Sequence, residues 1–262
     1  MLVKDVVNYL ETRFPKSLAL DFDIPRIGLI IGSYNIEVNN ILLTLDLTEQ
    51  VVDEAIEKNV NLIISHHPYL FDPLYKIDFD SPKGKTIRKM FAHNISLYSM
   101  HTNLDTGLGG VNDVLASKLF IKDPKVINGE ISKGNLLRYG NVKKQTVREY
   151  ALKVKESLKL SGVRVSGDLD KIIDTVGVIG GSGAHPSDLQ DAINNGCNCY
   201  VTGEVKLNNA IDAFDNGLTI IEVNHGVEKE VFYSLCDELR KNLDFGGEIS
   251  VTIVQTDPFQ SL

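Results

Sequence analysis

Apolar residues at a spacing of four open the chain. Leu2, Val6, Leu10 and Phe14 fall on one side of a helix, with polar residues on the other. Short apolar runs then alternate with helical patterns. Residues 27–31 form a candidate strand closed by Gly32, and residues 41–45 a second that ends at Asp46. Thr48 stands where a helix N-cap would, ahead of a buried face of Val51, Val52, Ala55 and Ile56. Residues 61–64 predict a third strand, 86–93 a helix, 95–100 a fourth strand and 112–119 a further helix. Between about 122 and 172 the pattern turns polar and Lys-rich, with a helix near 147–158, and suggests an inter-domain stretch leading into a second unit. Strands over 176–179 and 197–201 then flank a helix over 188–193. This alternation predicts an α/β fold of two lobes, 1–125 and 126–262, with the C-terminal strand and helix able to pack back on the first.

The chain also repeats itself. Residues 54–65 (EAIEKNVNLIIS) lie over 191–202 (DAINNGCNCYVT), matching acid, Ala-Ile, turn and strand. Residues 91–100 lie over 214–223 in the same way, which sets Asp105 opposite Glu228. Two matches in the same order point to two related α/β units.

Composition narrows the function classes. The 262 residues are 43% hydrophobic and 24% charged, ordinary for a soluble chain with a real core. A net charge of −8 without a Lys/Arg cluster disfavours non-specific nucleic-acid binding, which rests on phosphate neutralisation. Cys197, Cys199 and Cys236 form no CxxC pair or disulfide framework, as in a reducing compartment. No apolar run reaches the ~20 residues of a membrane helix, and the first residues carry no signal pattern. A cytoplasmic protein is expected.

Chemistry gathers where strands end, the place where open α/β sheets bind ligands. Those ends carry Asp46, His66-His67, His101 with Asp105, the glycine loop 180–183, Glu204, and His225 with Glu228. Four of the six histidines are thus at or just beyond strand ends, each near a carboxylate or another histidine. Neutral imidazole and carboxylate oxygen suit Zn, Mn, Fe, Co or Ni, and no cysteine lies nearby to make a thiolate site. His66 and His67 share one metal only if the strand has ended, which Pro68 favours; otherwise each serves one metal of a pair. His225 and Glu228, three apart, face the same way on a helical turn. Blander roles exist for several positions: Asp46 as a helix N-terminal companion, Asp105 as a cap in a Gly-rich loop, Glu204 as a polar strand end. His93 and His185 are taken as structural or surface residues. Gly180-Gly181-Ser182-Gly183 lacks the P-loop lysine and the GxSxG spacing, so a tight strand-to-helix turn is expected and Ser182 is not taken as a nucleophile.

Five segments in order resemble the GTP cyclohydrolase I type 2 family, also called the NGG-one-interacting-factor-three-like family. They are Ser65-His66-His67-Pro68-Tyr69-Leu70-Phe71, His101-Thr102-Asn103-Leu104-Asp105, Gly180-Gly181-Ser182-Gly183, Val201-Thr202-Gly203-Glu204-Val205-Lys206 and Asn224-His225-Gly226-Val227-Glu228-Lys229. The resemblance implies two α/β lobes with a dinuclear metal site at the cleft between them, and assembly into a homohexameric ring. It carries the ligand role onto His66, His67, Asp105, His225 and Glu228, holding two divalent metal ions. With it comes the expectation of a metal-dependent hydrolase acting on a nucleotide or small phosphorylated compound; His101, four residues before Asp105, is the candidate proton shuttle or, alternatively, the residue that orients Asp105. The competing expectation is a non-catalytic, metal-binding regulatory or scaffold protein.

Overall fold

The computed structural model describes residues 1–259. The chain folds as two units. The first combines Met1–Gly107 with Val231–Pro258, and the second begins at Leu108 and runs to Glu230.

The first unit contains helix α1 (Val3–Arg13), strands β1 (Gly28–Ile31) and β2 (Ile41–Thr44), helix α2 (Glu49–Glu57), strand β3 (Leu62–Ser65), helix α3 (Pro82–Ala92), strand β4 (Ser96–Ser99) and the short helix α4 (Thr102–Thr106). The second contains α5 (Val111–Lys118), β5 (Lys122–Lys125), β6 (Arg138–Thr146), α6 (Val147–Ser157), β7 (Arg164–Ser166), β8 (Ile172–Val178), α7 (Pro186–Asn194), β9 (Cys199–Thr202), α8 (Leu207–Asp215) and β10 (Thr219–Glu222). The chain then returns to the first unit with α9 (Glu230–Asn242) and β11 (Ile249–Val251). No helix among the described residues is long and apolar enough to cross a membrane.

The first sheet has the order β1-β4-β3-β2-β11, antiparallel only at β1. Strands β2, β3 and β4 are buried at every position, as strands covered on both faces must be. Leu42, Val51, Val52, Ala55, Ile63, Met90 and Leu97 belong to one core cluster that joins this sheet to α2 and α3. Each Val, Leu, Ile or Met side chain among them contributes about 1.5–3 kcal/mol on burial. Thr48 caps α2 as expected, its hydroxyl accepting from the amide of Val51.

The second sheet has the order β5-β6-β8-β9-β10-β7, with β8, β9 and β10 parallel. Two features differ from the sequence expectation. The Lys-rich stretch contains the nine-residue strand β6, which pairs antiparallel with β8. Helix α5 belongs to the second unit, and Asp113 on it is ion-paired to the buried Arg138 of β6.

The internal repeat is visible in the registers. Leu62 pairs with Ser96 and Ser65 with Ser99; their counterparts Cys199 with Thr219 and Thr202 with Glu222 pair identically. The turns agree as well. Asn59 (φ 50°) corresponds to Gly196 (φ 77°), and Asn94 (φ 52°) to Gly217 (φ 74°). Each left-handed residue ends a helix and turns the chain into a parallel strand.

Candidate metal centre

The candidate residues of the first unit follow β3 and β4. His66 and His67 lie directly beyond β3, where the backbone amides of both still pair with β2 and its extension, at Thr44 O and Leu45 O. His101 lies two residues beyond β4 and is the N-cap residue of α4. The rings of His66, His67 and His101 form a tight triangle, with centroid separations of 5.0, 5.1 and 5.7 Å. One ring nitrogen from each lies within 4.8 Å of the others, close enough to share a metal ion. Asp105 is not in a glycine loop: it sits within α4, before the glycines, with its Oδ1 3.5 Å from His66 Nε2.

The tautomer of His66 follows from its surroundings. Its Nδ1 is 2.9 Å from Met100 O, and a carbonyl only accepts, so Nδ1 carries the hydrogen. In the neutral ring Nε2 then keeps the lone pair, directed at a carboxylate oxygen. Two electron-rich atoms so placed are reconciled by a cation. Donor atoms about 2.1 Å from one ion lie about 3.0–3.4 Å apart at octahedral to tetrahedral angles. The observed 3.5 Å is close to that spacing.

His67 Nδ1 donates to Asp46 Oδ1 at 2.6 Å, and Asp46 also accepts from Thr256 at 2.9 Å. Burial alone would raise the Asp46 carboxyl; the bonds from His67 and Thr256 outweigh it and hold the pKa below its ordinary value. His101 Nδ1 lies 3.0 Å from Asp23 Oδ1, while Asp23 Oδ2 accepts from the amide and hydroxyl of Thr102. Asp23 is fully buried. Burial pushes its pKa up, yet the His101 and Thr102 bonds prevail and lower it.

The candidate residues of the second unit follow β9 and β10. His225 opens a 3-10 turn over His225–Lys229 that places Glu228 on the same side. His225 Nε2 is 3.2 Å from Glu228 Oε2, again near metal-ligand spacing. His225 Nδ1 lies 3.0 Å from Glu204 Oε1, and Ser182 donates to Glu204 Oε2 at 2.7 Å. That serine bond, with the one from His225, overcomes desolvation and keeps the Glu204 pKa low.

The glycine loop is the expected strand-to-helix turn, and it also makes room for the candidate ligands. At Gly181 (φ +55°) an added Cβ would stand 2.6 Å from Glu228 Oε1 and 3.0 Å from His225 Nε2. The carboxylate and ring therefore occupy space that only glycine leaves. In each unit by itself, an oriented ring paired with a carboxylate fits a divalent metal, and in the second the glycine cradle makes room for that pair.

Three carboxylates that the sequence assigned blander roles or none, Asp23, Asp46 and Glu204, each bond the Nδ1 of a site histidine. Asp46 and Glu204 stand at strand ends, which was the available signal. Asp23 lies in a 3-10 turn far upstream and carried none.

Comparison with known proteins agrees with the fold. A model of the family described as Duf34/NIF3 (NGG1p interacting factor 3) matches residues 1–258. The chain is 37% identical over 227 residues to a GTP cyclohydrolase 1 type 2 homolog of Clostridium acetobutylicum, covering 85% of this chain and 83% of the relative. It is 32% identical to a protein of the same name from Clostridium perfringens, covering 99% of each. The crystal structure of a Staphylococcus aureus hypothetical protein superposes with a TM-score of 0.93 at 30% identity, covering 100% of this chain and 99% of that one.

Proposed function

The chain belongs to the Duf34/NIF3 (NGG1p interacting factor 3) family, and on that premise we propose a dinuclear metal-dependent hydrolase of a nucleotide or another small phosphorylated compound. One observation carries the reading. Each candidate histidine has its Nδ1 engaged by an acceptor, and in His66 and His225 the other nitrogen meets a carboxylate at metal-ligand spacing. Metal-binding histidines are oriented in this way by their outer partners.

In this reading His66, His67, Asp105, His225 and Glu228 supply the donors for two divalent ions. Such ions provide Lewis acidity and a water nucleophile at neutral pH. Five protein donors leave coordination positions for water and substrate, unlike a closed structural site. Met100 O, Asp46 and Glu204 hold the rings of His66, His67 and His225 in register. His101, its Nδ1 bonded to Asp23, is placed to carry a proton at Nε2 beside the other two rings of its unit. Burial of His66 and Asp105 keeps bulk water from that pair.

The names of the curated relatives make GTP the first substrate to test. Elemental analysis is expected to find about two ions per chain, lost in His67→Ala without unfolding. GTP and a panel of phosphorylated compounds are then offered to the loaded protein. Bound metal with no turnover of any compound would favour the scaffold reading, and unchanged metal content in His67→Ala would remove the assignment of the site.

A further inference from the structure

Asp23, which holds His101, lies in the 3-10 turn Asp21–Arg26, and the last residue of that turn has an unusual setting. Arg26 donates from Nε to the carbonyl of Phe71 and from a terminal nitrogen to the carbonyl of Phe22, both at 2.6 Å. Its guanidinium carbon stands 4.2 Å from the Phe71 ring centroid and 5.5 Å from that of Phe22. Phe71 meets His101 edge to face, 6.5 Å between centroids. Both phenyl rings are half-exposed, and Arg26 is half-buried.

Arg26 has no acidic partner among the described residues. Two neutral carbonyls and two aromatic rings fix its direction without neutralising it. Of its five N–H donors the carbonyl bonds engage two. The surroundings make such a cation informative. The chain carries a net charge of −8, and His101, which meets the same Phe71 ring as Arg26, is backed by Asp23, as its neighbour His67 is by Asp46. In the metal-free form an anionic ligand approaching them meets only these carboxylates, and a fixed positive charge offsets them. Guanidinium is the side chain best shaped for a phosphate, through paired N–H bonds.

We propose that Arg26, held between Phe22 and Phe71, is the anion-recognition residue of the histidine site. It receives the phosphate group of an organic phosphate whose apolar part rests against the exposed phenyl surface. The inference rests on reading this site as one for small phosphorylated compounds, and it names the residue that recognises them.

The test is calorimetric titration of the purified protein, as isolated and after metal removal with EDTA, with phenyl phosphate and with phenol. Phenyl phosphate should bind more tightly than phenol in both forms. Arg26→Ala should cut that preference about tenfold, the loss expected for a charge-assisted bond. Arg26→Lys should keep part of it, and Arg26→Gln, which retains a neutral donor for the turn, should behave like the alanine variant. Lys83→Ala is the matched control. Lys83 Nζ also bonds a carbonyl of the same segment, that of Tyr69 at 3.1 Å, and lies over the Tyr69 ring at 5.2 Å, but it is exposed. Its removal should leave the preference intact. No preference in the wild type, an unchanged preference in both Arg26→Ala and Arg26→Gln, or an equal loss in Lys83→Ala would each overturn the proposal. Binding to the metal-stripped form is measured without turnover, so the two readings fail separately. Arg26-dependent binding without hydrolysis keeps the subsite and discards the enzyme; hydrolysis indifferent to Arg26 does the reverse.

Discussion

Gly181→Ala tests the centre from the side of the glycine loop. With φ at +55°, alanine pays about 1–2 kcal/mol for the left-handed backbone alone. The new Cβ would also stand 2.6 Å from Glu228 Oε1 and 3.0 Å from His225 Nε2. Carbon and oxygen need roughly 3.2 Å or more, so the carboxylate must retreat by about half an ångström. Metal sites tolerate ligand errors of about 0.2 Å. The displacement should therefore cost at least the 10–100-fold in affinity associated with disturbed ligand support. Gly196→Ala isolates the backbone cost, because Gly196 has φ +77° and nothing within 4 Å of an added Cβ. Both variants should melt lower, by about 2–4 °C per kcal/mol for a chain of this size. Only Gly181→Ala should lose metal in competition with a chelator. Equal retention of metal by the two variants would mean that Glu228 and His225 are not ligands, or that the loop yields freely, and the cradle argument would fail.

Asp46→Ala should weaken metal binding about 10–100-fold by releasing the His67 ring; chelator competition unchanged from wild type would deny the orienting role. Glu204→Ala should lower affinity more than Ser182→Ala, since Glu204 touches the ring and Ser182 only touches Glu204; the reverse order would contradict that chain of contacts. Glu54 gives a pH test. Burial alone would raise its pKa, but bonds from Lys58, Thr252 and the Ile253 amide hold it below the ordinary 4.5. A lowered folded pKa adds stability above the unfolded value and loses it as pH falls through the folded one. The melting-temperature gap between wild type and Glu54→Gln should thus be full at neutral pH and close in acid, whereas a pH-independent gap would exclude this linkage. Burial pushes the thiols of Cys197 and Cys199 up to about 12, so neither should react with a thiol reagent until the protein is unfolded; labelling of either in the native protein at neutral pH would contradict their burial.

Much of this arrangement was legible in the chain. Strands β2, β3 and β4 are short, wholly buried runs, and their ends exposed the histidines because a buried strand that stops on polar residues has reached something. The repeat was readable because helix, turn and strand recur with a left-handed residue at the same place. Other parts carried no pattern. Strand β6 buries Arg138 and Gln145 among lysines, so its alternation is hidden by polar side chains satisfied in three dimensions. Helix α5 looks like the continuation of the first lobe, and contacts distant in sequence, the Asp113–Arg138 pair and the bond from the Gly180 amide to Asn112, attach it to the second unit. Asp23 and Arg26 act across the chain, 78 residues from His101 and 45 from Phe71 respectively. Local spacing does not encode such partners.

The division of the first unit into two stretches has a consequence for synthesis. Strand β2 has β3 on one side, and on the other it waits for β11. At about 5–20 residues per second, the roughly 140 residues separating Gly107 from β11 take from about seven to about thirty seconds to emerge. All the helices and strands of the second unit lie in the stretch from Leu108 to Glu230, which leaves the ribosome while the first still shows a bare sheet edge. The inserted half is thus able to fold before the half that receives it. A nascent chain arrested before Ile249 should expose β2 to chaperones in a way the released protein does not.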